Sequence, residues 1–346
     1  MTMSSQNTKF TPELNPMTKF LDYSQWKSYN HCPMEWYEKY REQVRQAPTG
    51  QSADAMTLGS LVHAGIQHFR EKQATVIPVE AIDEFNPTPE CLAWAQELLL
   101  GYTRHYANEA FTKYYCEEPL KFPLIDGMDG LAKVDCYFDV AEDVTIETGL
   151  GDTFTLEPGT WIHEYKTKAA SKDIGKYIAS WRTNMQACFQ MLALEHQLGR
   201  PVAGLIVNVL EKPQDYQPKR TCKTCKVASE LRDWEPSGTQ FACPACQAVQ
   251  DIDTVVKSKI NRVPKYYRIM VKRNRQELEL AKTEMAQVAT DILAIDAGTR
   301  IPSRNTEACI DQIFRPCVYS EPHGALRSAA SWPGFIKVEA LRYVTR

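Results

Sequence analysis

The sequence predicts an α/β core interrupted by one small metal-binding module, and three observations carry that prediction. Apolar stripes with helical period fill the N-terminal third of the chain. Short β-type runs separated by Gly, Asp and Pro follow between Gly130 and Lys168, with a further helix and more strands beyond. Residues 213–254 are polar and carry two pairs of cysteines, unlike either flank.

At 346 residues the chain exceeds one average domain and falls short of three. Apolar residues make up 43% and charged residues 24%, enough for a sizeable core, which excludes collagen-like, coiled-coil and broadly disordered classes. No apolar run is long enough to span a membrane. The start, MTMSSQNTKFTPELNPM, lacks the basic-then-apolar layout of a signal peptide, so a cytoplasmic protein is expected. The net charge of −3, 40 basic against 43 acidic residues, argues against coating nucleic acid by bulk charge but leaves room for a local basic groove. Eleven cysteines in a reducing compartment are expected to divide between metal ligands and small core residues.

Residues 1–20 read as a flexible leader. Ser24 is a plausible N-cap for the run SQWKSYNHCPMEWYEKY, whose helical packing should break near Cys32-Pro33 because proline disfavours helix at the residue before it. Residues 47–55 read as a polar loop. A second helix places Leu58, Val62, Ile66 and Phe69 on one face, and a third carries Leu92, Ala95, Leu99, Tyr102 and Tyr106. The β-type runs are GLAKVDCYFDV (130–140), VTIETGL, DTFTLEP and TWIHEYKTK (160–168). A helix from about Lys176 to Leu198 and the strand PVAGLIVNVL (201–210) follow. After the cysteine module, KYYRIMVKR (265–273) reads as a strand and a last helix aligns Ala281, Met285, Val288, Ile292 and Ile295.

The cysteine module reads as a zinc ribbon. Cys222 and Cys225, then a 17-residue spacer, then Cys243 and Cys246 give two tight turns that present four thiolates for tetrahedral Zn²⁺. A closed Cys₄ site has no open position for substrate, so its role is to hold together a segment too polar for its own core. Lys219, Arg220, Lys223, Lys226 and Arg232 beside it either contact phosphates or form a solvated face. Cys91, Cys116, Cys136 and Cys188 lie in apolar patterns and are expected to be buried small side chains.

The chemistry concentrates at Asp135, Glu164 and Lys166. Alternation along a strand puts Glu164 and Lys166 on one face and turns His163 and Tyr165 away. A carboxylate binds a hard divalent ion, while an ammonium group orients an attacking water or neutralises charge on phosphorus. Taken alone, an acid and a lysine two apart on a strand are common surface chemistry.

Five short motifs in order change that weight: SQWKSYNHCPMEWYEKY, GSLVHAGIQHF, GLAKVDCYFDV, WIHEYKTK and NMQACFQMLALE. In order and spacing the chain resembles the PD-(D/E)XK nucleases, specifically the RecB-type branch that includes CRISPR adaptation exonucleases and many phage exonucleases. The resemblance runs from about Ser24 to about His323, with the ribbon as an unshared insert. It implies a restriction-endonuclease-like core, a central mixed sheet flanked by helices, formed by residues 21–212 and 255–323, with the ribbon at 213–254 and a C-terminal tail at 324–346. It also implies Mg²⁺ or Mn²⁺ held by His63, Asp135 and Glu164, catalysis by Asp135, Glu164 and Lys166, and a DNA-positioning Gln186. The tyrosine that the family places one turn after that glutamine is Gln190 here, a departure from the pattern.

The expected activity is that of a DNA exonuclease in recombination, repair or replication, plausibly phage-encoded, with a helicase or recombination protein as a further partner. An endonuclease on the same scaffold and a non-catalytic DNA-binding module are the alternatives. Many RecB-type relatives also hold an iron–sulfur cluster between one N-terminal and three distal cysteines. Here Cys32, Cys309 and Cys317 match three positions and His323 occupies the fourth. A [4Fe-4S] cluster with mixed ligation, zinc in a Cys₃His site and a metal-free vestige remain open at this point.

Overall fold

The computed structural model describes residues 20–46, 51–107, 109, 111, 114–169, 173–212, 219–230, 234–237, 240–251, 263–305 and 335–337. A short strand β1 (Phe20–Asp22) leads into α1 (Tyr23–His31). The helix is capped by Asp22 rather than by the expected Ser24: the Asp22 carboxylate accepts the Gln25 N–H at 2.8 Å, so the cap falls two residues earlier. Cys32 is extended (φ −159°) and Pro33 opens α2 (Pro33–Trp36), the break expected there. A π-helical turn (Tyr37–Arg41) and β2 (Val44–Gln46) follow.

Helix α3 (Gln51–Lys72) begins inside the segment 47–55 expected as a loop and buries Leu58, Val62 and Ile66. The two-turn α4 (Val79–Phe85), too short for a readable period, lies between Pro78 and a left-handed Asn86. Helix α5 (Pro89–His105) is capped by Thr88 and buries Ala95, Leu99 and Tyr102. Strand β3 (Tyr115–Ile125) was not legible as a strand. It contains Pro119 and Pro123, which a strand tolerates at an edge, and among the described strands it pairs only with β4 (Met128–Val140). The hairpin β5 (Val144–Glu147) and β6 (Thr153–Leu156) precedes β7 (Gly159–Ala169).

The single helix expected from Lys176 to Leu198 is two. Helix α6 (Ile174–Ser180) runs into a 3₁₀ turn (Trp181–Thr183), and Asn184 then turns extended and caps α7 (Met185–Leu198). Helix α7 ends at Gly199, whose φ of 65° is left-handed backbone that favours glycine. After β8 (Val202–Lys212), the cysteine module contributes β9 (Lys219–Thr221), β10 (Ala228–Glu230), β11 (Glu235–Ser237), β12 (Gln240–Ala242) and β13 (Val249–Asp251) in two small antiparallel sheets. Strand β14 (Lys265–Val271) and α8 (Arg275–Asp296) complete the core, and β15 (Phe335–Lys337) pairs with β2. The α8 stripe is buried at all five expected positions.

The central sheet is mixed, in the order β1-β4-β7-β8-β14 with β3 on the other edge of β4. Strands β1–β4 and β7–β8 are parallel and the other pairs antiparallel. One face buries Ile162, Val207 and Val209 under α1, α7 and α8. The other buries Cys136, Tyr165 and Leu210 under α3 and α5, and the β5–β6 hairpin closes over Phe138, Trp161 and Ile206. Cys91, Cys136 and Cys188 are buried as expected, whereas Cys116 is partly exposed.

On the second face two arginines share one carboxylate. Arg70 from α3 donates to Glu109 at 2.8 Å and to the Tyr102 hydroxyl at 2.8 Å. Arg268 from β14 pairs with the other Glu109 oxygen and donates to Asn208 Oδ1 at 2.9 Å. Burial works to raise the Glu109 carboxyl, but Arg268 and Arg70 outweigh it and hold it below the usual glutamate value. Such a depressed group adds stability above its unfolded value, and that contribution disappears as pH falls through its folded value. Glu109→Gln should therefore cost about 3 kcal/mol at neutral pH, since it leaves two buried guanidinium groups short of a counter-charge. In urea melts the gap between the two proteins should close as pH drops below the ordinary glutamate range, and a gap that stays constant would remove Glu109 from this role.

Candidate active site

Strands β4 and β7 pair only from Cys136↔His163 to Val140↔Gly159. The same edge of β4 is taken up again by β1 at Asp129–Leu131, because β3 occupies the opposite edge along this whole stretch. Among the described residues no strand pairs with 132–135 of β4 on that edge, and β7 runs on alongside β8. The two strands form a fork. Asp135 and Glu164 are the first residues past the last rung, and by register they lie on the same side, opposite to Cys136 and His163.

The fork is held open by side chains that satisfy the unpaired backbone. Asp135 Oδ2 accepts the Tyr165 N–H at 2.9 Å, replacing the lost rung. Gln190 Nε2 donates to the Lys133 carbonyl of β4 at 2.9 Å and to Glu164 Oε2 of β7 at 2.6 Å, bridging the gap. Glu164 Oε1 accepts from Gln186 Nε2 at 2.7 Å and pairs with Lys166 Nζ. Gln186 and Gln190 stand one turn apart on α7, and the cap at Asn184 starts that helix so that both amides meet one carboxylate. From the opposite layer α3 brings His63, whose Nδ1 lies 3.5 Å from Asp135 Oδ1.

These contacts set the charges. Burial opposes ionisation of Asp135, but His63 and Lys166 overcome it and hold its pKa down to about 2. Burial and then the Asp135 charge push Glu164 above the usual glutamate value, with Lys166 and Gln190 pulling the other way. Burial pulls His63 down, yet Asp135 and Glu164 together leave it raised, and Lys166 is raised against burial by the same two carboxylates. Two acids at the mouth of one fork thus repel each other, a strain that a bound cation relieves. Asp135 Oδ1 and the Glu164 oxygens retain lone pairs, and hard oxygen donors with one imidazole suit a divalent ion. A cleft of about 790 Å³ opens onto His63 and Asp135 between α3 and α4, lined also by Glu71, Glu80, Glu84, Lys72 and Lys133.

All five residues expected at this site, His63, Asp135, Glu164, Lys166 and Gln186, thus converge on the fork. Gln190 joins them. Read from the sequence only as a departure from a tyrosine pattern, it is buried and links both strands.

The ribbon cysteines also converge. Among the described residues, Cys222, Cys225, Cys243 and Cys246 are the set of possible metal ligands whose ligand atoms all lie within 4.8 Å of one another, and the set at the fork is more open. Sulfur separations of 3.6 Å (Cys222–Cys246) and 3.8 Å (Cys225–Cys243) match the roughly 3.8 Å edge of a zinc–thiolate tetrahedron. Each CxxC turn repeats one backbone pattern: Lys226 N donates to the Cys222 carbonyl and Gln247 N to that of Cys243, with φ of 62° and 60° at the two donors. N–H donors aimed at sulfur from Thr224, Ala245 and Gln250 favour thiolates over thiols. Lys223 and Lys226 are exposed beside this site, whereas the side chains of Lys219, Arg220 and Arg232 lie outside the described residues.

Cys32 is buried, and its sulfur accepts the Asn305 N–H at 3.5 Å. Cys309, Cys317 and His323 lie outside the described residues. Among the described residues no helix is long and apolar enough to cross a membrane.

Comparison with known proteins adds a family. A model of the PD-(D/E)XK nuclease superfamily matches residues 21–321. Among solved structures, a protein termed "Putative exonuclease" from Eubacterium rectale is similar at 12% identity, covering 92% of this chain and 96% of its own, with a TM-score of 0.44. A protein termed SSO0001 is similar at 10% identity, covering 74% of this chain and 78% of its own, with a TM-score of 0.26. No curated protein matches the chain. The family match spans most of the chain and takes in every strand and helix of the forked sheet, and by it the protein belongs to the PD-(D/E)XK nuclease superfamily.

Proposed function

We propose that the protein is a metal-dependent DNA exonuclease of the RecB type, hydrolysing phosphodiester bonds in the cytoplasm during recombination, repair or replication. The observation that carries this reading is the fork between β4 and β7, where Asp135, Glu164, Lys166 and two glutamines meet. Asp135, Glu164 and His63 would hold Mg²⁺ or Mn²⁺, which when bound would supply Lewis acidity and a bound water more acidic than bulk water. Lys166 brings a positive charge to the non-bridging oxygens of the scissile phosphate. Gln186 and Gln190 fix the orientation of Glu164, which would otherwise swing away from the repelling Asp135 charge. The assignment to exonuclease action, with a helicase or recombination protein supplying DNA, rests on the likeness of the five motifs to the RecB-type branch.

In this reading residues 21–212 and 255–323 build the nuclease core and 213–254 form a ribbon that binds one structural zinc. The described chain also returns to the neighbourhood of Cys32 at Ser303 and Asn305. Cys309 is four residues beyond Asn305, which touches the Cys32 sulfur, and the Ser303 carbonyl accepts the Met34 N–H at 3.1 Å. A second metal site at Cys32, Cys309, Cys317 and His323, an iron–sulfur cluster of mixed ligation, is consistent with that return.

The central test incubates the protein with end-labelled linear DNA and with covalently closed circles, with Mg²⁺ or Mn²⁺ and with chelator. Metal-dependent loss of the linear DNA alone is expected. Cutting of circles would make the protein an endonuclease, and no cleavage of either would end the reading. Asp135→Ala and Lys166→Ala should each lower the rate on the order of a thousandfold in a folded protein, with a lowered melting transition in Asp135→Ala because the Tyr165 N–H loses its acceptor. Gln190→Ala should lower the rate about tenfold, through loss of its hold on both Glu164 and the Lys133 carbonyl; native rates in that variant would return Gln190 to a packing role.

Metal analysis should find one zinc per chain that Cys243→Ser releases, and replacing 214–254 by a short turn should preserve cleavage. Loss of all hydrolysis in a folded deletion variant would make the ribbon part of the active site. Anaerobically purified protein should carry iron and acid-labile sulfide that Cys32→Ser removes. A colourless protein without iron would leave the second site to zinc or to a vestige.

A further inference from the structure

Beyond Lys166, strand β7 carries one more lysine on the same face. Lys168 lies two residues further on, about 7 Å along the strand, a step comparable to one nucleotide of an extended chain. Its surroundings differ from those of Lys166. Lys166 is ion-paired with Glu164, whereas the Lys168 ammonium is buried without any hydrogen-bond acceptor. It rests over the ring of Tyr177 on α6, 5.0 Å from the centroid. The acid nearest by register is Glu211, opposite Lys168 on β8, yet Glu211 Oε2 is itself buried without a hydrogen-bond partner. A buried ammonium with all three donors unused is unfavourable unless an anion completes it. A cation–ring contact is weak enough for a flexible four-carbon stem to leave when a stronger acceptor arrives.

The direction from which that anion comes follows from charge. On the α3–α4 side of the site, the cleft is lined by Glu71, Glu80 and Glu84 together with Lys72 and Lys133, a mixed set with no excess of positive charge to draw a polyanion. On the β7–α6 side stand Lys166, Lys168 and the partly exposed ring of Tyr177.

We infer that Lys168 and Tyr177 form a binding subsite for the phosphodiester group next to the scissile one, so that a nucleic-acid strand runs from the fork along β7 towards α6. This rests on the nuclease reading for placing the scissile phosphate at Glu164 and Lys166. The phosphate oxygen supplies the acceptor that Lys168 lacks, and the ring beneath keeps the ammonium aimed at it.

The test uses the full chain and single-stranded oligonucleotides in which one methylphosphonate, a linkage without charge, is moved step by step along the strand. With Mg²⁺ the native protein should lose about tenfold in cleavage rate when the neutral linkage neighbours the cleaved bond. Lys168→Met, which keeps the apolar stem over Tyr177, should be about tenfold slower on the unmodified strand and should lose nothing further at that linkage, whereas Lys168→Arg, which keeps the charge, should remain sensitive to it. Fluorescence anisotropy in Ca²⁺ gives a readout free of catalysis: the slope of log affinity against log salt should fall by about 0.7 in Lys168→Met. A Lys168→Met protein with an unchanged slope and native sensitivity to the neutral linkage would overturn the subsite. So would loss of thermal stability and cleavage in Lys168→Met that Glu211→Gln restores, since Lys168 would then serve as the counter-charge of Glu211. A Lys168-dependent salt slope in a protein that cuts no strand would sustain the subsite and refute the nuclease reading, so the two fail separately.

Discussion

The parting of β7 from β4 after one last rung, Cys136 opposite His163, is the constraint from which the rest of the site follows. Where β7 leaves β4 after Cys136 and His163, backbone groups that would have formed rungs need other partners. The Asp135 carboxylate takes one N–H from β7, and the Gln190 amide takes one carbonyl from β4. The residues that repair the sheet are therefore the residues that make the site, and substituting them changes backbone pairing and charge together. Because Asp135 is fixed at one oxygen, the other is left facing His63 and the cleft.

The layers on either side of the sheet serve the fork differently. Helix α7 delivers two amides to Glu164 from one face, while α3 crosses the other and sends His63 to Asp135. Behind α3, the Arg70–Glu109–Arg268 cluster ties that helix to β14, and its two guanidinium groups help keep His163 well below its ordinary pKa, after burial itself. Neutral His163, its ring 4.6 Å from that of Phe138, packs as a core residue on the side of β7 away from Glu164.

Much of this was legible in the sequence where one physical rule dominates. Strand alternation alone separated Glu164 and Lys166 from His163 and Tyr165. The α8 stripe was readable because five apolar residues recur at helical spacing, and the ribbon because four thiolates at that spacing have few other uses. What escaped depends on tertiary context. The prolines of β3 hid an edge strand, and a single asparagine split one helix into α6 and α7. Gln190 looked like a missing tyrosine because a motif records a residue type, whereas the fork requires a donor long enough to reach two strands at once. The fork itself is a matter of register between strands that no local pattern encodes.

The central claim is that the fork is a divalent-cation site, and anomalous diffraction from crystals of the protein grown with Mn²⁺ tests it most directly. An anomalous peak is predicted within coordination distance of Asp135 Oδ1 and a Glu164 oxygen, with His63 turned towards it, and absent in Asp135→Ala crystals. Density that fills only the ribbon, with Asp135 and Glu164 left uncoordinated at saturating Mn²⁺, would contradict it.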